Sequence, residues 1–299
     1  MREQRDSGGG ERVVVPSPTL ARRFWEAIEP VHAVAYFTPE PAEAARAVGL
    51  LGWWMGYFAG RLAPLGPLGA PAAKALCFAF APGRVARALP DAWTYATPEK
   101  VLHTRMGAVQ AALERVLPAT GHADLERLVH LLERAVAGCG YEGRPLAAAW
   151  SGVPRPGSLT GRLWLAATIL REHRGDGHVI AAAHAGLTGI EAGLTHVATG
   201  QIPRALIQTS RGWSDADWEQ ARRRLVARGL LDQGSRLSKR GGVVRREIEN
   251  ATDRLAAAPV TLLGPSGVEE AIRLAAPLSR HLVDTGVVPV PNPIGAPRP

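Results

Sequence analysis

Apolar residues recur every three or four positions through most of the chain, the period of helices with one buried face. Leu20, Phe24 and Ile28 fall at i, i+4 and i+8, which predicts a first helix from Ser17 or Thr19 to Ile28. Ser17 before Pro18 suits its start, and Pro30 disfavours helix at Glu29. Thr38-Pro39-Glu40 opens a second helix that passes into Gly49–Gly60, where glycines 49, 52, 56 and 60 share one stripe. Residues 61–72 form a Pro/Gly loop. A short helix follows at Ala73–Phe80, then the segments Pro82–Leu89 and Pro90–Trp93. Thr97-Pro98-Glu99 caps a long amphipathic helix ending near Leu117, and another runs from Ala123 to Ala137. A helix from Thr160 to Glu172 leads through a charged turn, Arg171 to His178, into one apolar helix, Val179–Thr199, softened at Gly186 and Gly189. Then come a short helix at 203–209, a Ser214-capped helix at 215–228 closed by Gly229, a β-hairpin at 230–238, and helices at 239–257 and 266–285. Few β-branched runs interrupt this order, so the fold class is mainly α.

Two stretches repeat. Gly49-Leu50-Leu51-Gly52-Trp53-Trp54-Met55-Gly56 and Gly186-Leu187-Thr188-Gly189-Ile190-Glu191-Ala192-Gly193 both read G-L-x-G-x-x-x-G. Each is followed by Arg-Ala-Leu (87–89 and 204–206), a tryptophan (Trp93 and Trp213) and a capped helix. The expected organisation is a flexible tail at 1–16, helical pseudo-repeats at 17–137 and 159–260 separated by a Gly/Pro-rich linker at 138–158, a C-terminal helix within 261–286, and a proline-rich tail at 287–299. A pseudo-two-fold interface between such units is a natural place for a pocket.

Composition narrows the function classes. The 299 residues carry a net charge of +8, compatible with nucleic acid or an anionic ligand. Cys77 and Cys139 are too few for a disulfide framework, and no CxxC or HExxH spacing marks a metal site. The N-terminus carries charges throughout, and the longest apolar stretch, Val48–Phe58, is too short for a membrane span. A cytoplasmic protein with no membrane partner is expected. No Rossmann fingerprint, P-loop or G-x-S-x-G elbow occurs.

The candidate chemistry centres on Leu170–Gly193. Glu172, His173, Asp176 and His178 bring several protonatable groups together over seven residues; in an enzyme, His173, Asp176 and His178 would carry acid–base catalysis. A ligand cleft would be lined by His32, Tyr36, Trp53, Trp54, Tyr57, Phe58, Arg174, His184 and Glu191. The plainer alternative is a polar turn whose Arg, Asp and Glu satisfy one another. No cofactor is expected; haem held by one of the histidines is the alternative.

Helix 203–209, turn, helix 215–228, hairpin and helix 239–257 is the order of a winged helix-turn-helix. "ARRRLVARGLLD" and "RLSKRGGVVRREIENA" resemble the recognition helix, wing and following helix of MarR-type regulators. With "EPVHAVAYFTPE", "LGWWMGYFAGRLAPLG" and "LREHRGDGHV", nearly the whole chain resembles an actinobacterial SalK-like family of helix-turn-helix proteins, often tied to secondary metabolism. The resemblance implies duplicated helical units with a MarR-like winged helix-turn-helix and a small β-wing. Residues 204–254 hold twelve Arg/Lys against seven Asp/Glu. Arg222, Arg223, Arg228, Arg236, Lys239 and Arg240 are the candidate DNA contacts, whereas Asp215, Asp217 and Glu219 at the helix start oppose phosphates. The leading expectation is a regulator responsive to a small apolar or anionic ligand, binding double-stranded DNA, with a homodimer as a further candidate state. The alternatives are a cofactor-independent biosynthetic enzyme for cyclisation, isomerisation or elimination, and a ligand-sequestering protein.

Overall fold

The computed structural model describes residues 18–119 and 121–299; the expected tail at 1–16 and the Ser17 cap lie outside them. Fifteen α-helices follow in order among the described residues: α1 Pro18–Phe37, α2 Pro39–Ala47, α3 Gly52–Leu62, α4 Ala70–Leu76, α5 Pro82–Ala86, α6 Ala92–Tyr95, α7 Pro98–Val116, α8 His122–Val136, α9 Pro145–Ser151, α10 Leu159–His184, α11 Gly189–Val197, α12 Arg204–Arg211, α13 Asp215–Ala227, α14 Lys239–Leu255 and α15 Ala257–Asp284. Thr97 and Ser214 cap α7 and α13 as expected, each side-chain oxygen accepting a backbone N–H from three residues on.

α10 is the axis of the molecule. Sixteen of its 26 residues are buried, and α1, α7, α8, α9 and α14 all pack on it. The charged turn expected at Arg171–His178 is therefore not a turn: helix continues through Gly175 and Gly177. Gly177 has a packing role there, since a Cβ would stand 2.8 Å from Nη1 of Arg144, which crosses the helix at that point.

α1 likewise runs past Ile28 and through Pro30 to Phe37. An interior proline costs a helix about 3 kcal/mol. Burying Val31, Ala33, Val34 and Ala35, each at most 4 % exposed, outweighs it. The segment 138–158 is not an open linker, because α9 lies within it and buries Leu146, Ala147 and Trp150 against α10. Nor is the C-terminal segment without a core contribution: Val288, Asn292 and Ala296 are buried. The Asn292 side chain ties that turn together, donating to the carbonyls of Pro289 and Ala296 and accepting from the amides of Ile294 and Ala296. α15 starts earlier than expected, at Ala257, and kinks at Gly264, whose φ is 75°.

The helix expected at 179–199 is two helices. α10 ends at His184, Gly186 turns with φ 69°, and α11 begins at Gly189. The turn before α3 is built the same way. Gly49 has φ 93°, so it belongs to a turn and not to the α3 stripe. In both turns the glycine N–H donates three residues back and the following leucine N–H donates five back, Leu50 to Ala45 and Leu187 to Ala182. A left-handed glycine closing a helix with such bonds satisfies its last carbonyls. Both leucines are then buried, at 2 % and 3 % exposure. Of the remaining glycines in α3, Gly56 allows close packing, since a Cβ would meet that of Ala45 at 2.8 Å.

Three apolar clusters result. One joins α1, α7, α8, α10 and α15. A second surrounds α3 and the short helices after it. The third lies under α11, α13 and α14. Between α13 and α14 the chain folds back through one antiparallel bridge, Leu231 to Leu237, in place of the longer hairpin expected.

Candidate functional site

Because Glu172 to His178 are helical, successive side chains turn by about 100°, and the expected catalytic group is spread over separate faces. Glu172 is 1 % exposed and accepts from Nε and Nη2 of Arg61 at 2.9 and 2.8 Å and from Nη1 of Arg171 at 3.0 Å. Burial works to raise its carboxyl, but Arg61 and Arg171 prevail and hold it well below the usual carboxylate range. Asp176 accepts the amides of Leu146 and Ala147, both at 3.0 Å, and so caps the start of α9. Its burial pushes the carboxyl up to about 6. The His173 carbonyl accepts from Arg144 at 2.6 Å. His178 Nδ1 meets Thr252 Oγ1 at 3.1 Å on α14. Beside it Arg174 pairs with Asp253 at 2.7 Å and lies over the Trp25 ring. Asp176 and His178 thus meet different partners, on α9 and α14, while His173 lines a small cavity with Arg174, Phe24, Trp25 and Pro259.

The expected ligand residues divide in the same way. His32 is buried on α1, with Nδ1 2.9 Å from Thr168 Oγ1 and Nε2 3.2 Å from the Tyr36 hydroxyl. Burial pushes the His32 imidazole well below its ordinary range and Tyr36 up to about 12, so both are neutral near pH 7. Trp54, Tyr57 and Phe58 pack with one another and with Phe80, and the exposed Trp53 lies against Trp54 and Tyr57, at centroid distances of 4.6 to 6.0 Å. Arg84 covers the Trp54 ring at 4.2 Å. Glu191 is 3 % exposed and joins α11 to α13 through Arg224 at 2.9 Å and Arg228 at 3.6 Å. His184 is exposed at the end of α10.

Two neighbouring residues escaped the sequence reading. Arg61 supports Glu172, and Arg105 lies buried on α7 against the Tyr36 and Trp164 rings. A signal for Arg105 was present: it stands between Val101 and Val109 on the apolar face of its helix.

His173, His178 and His196 are all held to about 4, mainly by burial. Unfolded imidazoles protonate near 6.5, so the unfolded state takes up protons first and stability falls as pH drops from about 6.5 towards 4. Asp176, raised to about 6, opposes this below that pH. The urea midpoint should be lower at about pH 5 than at about pH 7, with a smaller difference in His178→Gln. A midpoint that does not fall would contradict this.

The second surface is α13. Its inner face, Trp218, Ala221 and Leu225, is at most 2 % exposed. Its outer face presents Ala216, Gln220, Arg223 and Ala227, at i, i+4, i+7 and i+11. The acids at its start are engaged. Asp215 accepts from Arg204 at 2.7 Å and Gln208 at 2.9 Å. Asp217 accepts the Ser214 N–H and hydroxyl and returns its own N–H to Ser214 Oγ. Glu219 pairs with Arg222. Ser214→Ala should cost about 1 kcal/mol in urea unfolding; an unchanged midpoint would count against the cap. Of the expected DNA contacts, Arg228 also bonds the Gly186 carbonyl and Arg236 pairs with Asp232. Arg223, Lys239 and Arg240 are exposed and in no ion pair among the described residues.

No helix among the described residues is long and apolar enough to cross a membrane. A family model described as a helix-turn-helix family matches residues 21–289. No curated protein and no solved structure matches the chain.

Proposed function

The chain belongs to this helix-turn-helix family, and from that premise we propose that it is a regulator that binds double-stranded DNA by laying α13 in the major groove. The observation that carries the reading is the outer stripe of α13. Gln220 and Arg223 are exposed there between the small side chains of Ala216 and Ala227. Glutamine suits the N6/N7 edge of adenine and arginine the O6/N7 edge of guanine. Alanines beside them permit close approach to the groove floor. Lys239 and Arg240, at the start of α14, are positioned in sequence for backbone phosphates.

The MarR-like and SalK-like kinship belongs to the same proposal, supported by the succession α12, turn, α13, Leu231–Leu237 bridge, α14. So does the internal duplication, supported by the matching turns at Gly49-Leu50 and Gly186-Leu187. On this reading the second unit meets DNA while α7, the counterpart of α13, holds the first unit together.

Fluorescence anisotropy with duplex DNA from the region upstream of the chain's own coding sequence tests the proposal. The expected result is an affinity that falls steeply with salt, and a loss of about tenfold or more in Arg223→Ala. Absence of binding by folded protein at low salt would sink it.

A further inference from the structure

Three acids open α13, and each is held differently. Asp217 folds back on the cap, its Oδ2 accepting both the N–H and the hydroxyl of Ser214. Glu219 has both oxygens on Arg222, at 2.8 Å each. Asp215, the first residue of the helix, stands outward, with its side chain 89 % exposed. Its two hydrogen bonds, from Arg204 at 2.7 Å and from Gln208 at 2.9 Å, both end on Oδ1. Oδ2 accepts none among the described residues.

The carboxylate is also fixed in place. Arg204 Nε donates to Gln208 Oε1 at 2.7 Å, so the three side chains close a triangle. The Arg204 guanidinium lies 5.5 Å from the centre of the Trp218 ring, which belongs to the buried cluster under α11, α13 and α14. A side chain already ordered loses little freedom on binding. The Arg204 charge beside it offsets the repulsion that a bare carboxylate meets near DNA phosphates.

Such an acid has one matching counterpart in the major groove. A carboxylate accepts hydrogen bonds and does not donate them. Guanine presents O6 and N7 there, and thymine O4, all acceptors; adenine sets its N6 donor beside the N7 acceptor. Cytosine presents the N4 donor with no acceptor next to it. In helix-turn-helix complexes the N-terminal residues of the reading helix are the ones that meet base edges. At about 1.5 Å per residue, Asp215 stands about 7.5 Å along α13 from Gln220, the span of about two base-pair steps.

We propose that Asp215 is a base-reading residue of α13, which accepts the N4 amine of a cytosine on Oδ2 while Arg204 and Gln208 hold Oδ1. The assignment rests on α13 being the reading helix, and it adds a cytosine to the adenine and guanine assigned to Gln220 and Arg223.

The probe is the duplex that the parent chain selects from a random pool, with each base pair replaced in turn and binding read by anisotropy at fixed salt. The parent should require a C·G pair within about three base pairs of the adenine or guanine contact, and lose about tenfold when it is replaced. Asp215→Ala should reduce that preference to under about twofold while the other positions keep theirs. Asp215→Asn, whose amide pairs with adenine, should move the preference from C·G to A·T. An Asp215 that serves only to hold α12 against α13 would instead change affinity for all sequences alike. A folded parent that selects no motif overturns the reading of α13 and this assignment with it. A motif without such a cytosine, a cytosine preference that survives both variants, or equal losses at every position would overturn this assignment and leave α13 as the reading helix.

Discussion

Glu172→Ala should lower the unfolding free energy by about 3–5 kcal/mol, the cost of breaking a buried ion pair by removing one partner. The carboxylate is 1 % exposed and accepts three charge-assisted hydrogen bonds. Its loss strands the Arg61 guanidinium and leaves Arg171 only Glu29, at 3.4 Å, beside a third cation, Arg105, that is in no ion pair among the described residues. Glu172→Gln should cost nearly as much, since the amide keeps the shape but not the charge. Arg61→Met combined with Glu172→Ala should recover part of the loss, because one stranded charge goes with it. The sign with pH follows from the depressed carboxyl. Its contribution is complete above the unfolded value of 4.5 and is lost only as pH falls well below it. Urea unfolding of the three variants checks this; a loss under about 1 kcal/mol for Glu172→Ala would mean that water reaches the cluster.

Gly189→Ala should cost about 3 kcal/mol, near the upper end for overpacking. A Cβ on Gly189 would collide with the backbone carbonyl of Phe78. Neither side can give way easily. Gly189 begins α11, and the chain around Phe78 is tied by Phe80 N–H to the Cys77 carbonyl, Ala81 N–H to the Arg211 carbonyl, and the Trp213 indole to the Ala79 carbonyl. The contact joins α11 to the chain between α4 and α5, so the variant should also loosen α12 against the Phe80 ring, which Arg211 covers at 4.5 Å. Gly107 provides the control. It lies inside α7 with nothing within 4 Å of an added Cβ, and Gly107→Ala should stabilise by about 0.5–1 kcal/mol. Equal effects at the two positions would contradict the packing described.

Helix ends were the most legible part of the sequence, because their chemistry is local. Thr97 and Ser214 announce the starts of α7 and α13 and Gly229 the end of α13, whereas the paired Gly-Leu motifs read as parts of helices and are turns. The continuity of α10 was not legible. Arg-Gly-Asp-Gly reads as a turn when only neighbours are weighed. It is helical because each polar side chain meets a partner remote in the chain: Arg61 for Glu172, the α9 amides for Asp176, Asp253 for Arg174 and Thr252 for His178. The same limit hid the helix through Pro30, which is sustained by packing against α10 and α15. Arg105 is the opposite case. Its place on an apolar helical face was visible in the spacing from Val101 to Val109, but the rings it meets, Tyr36 and Trp164, come from helices remote in the chain.

Selection from a random pool of duplexes is the most direct test of the proposed function. Protein with intact α13 should enrich one short motif containing an adenine or guanine contact, and Gln220→Ala with Arg223→Ala should abolish that enrichment while helical circular dichroism is unchanged. Failure of the folded parent to enrich any sequence, or the same motif from the double variant, would contradict α13 as the reading helix.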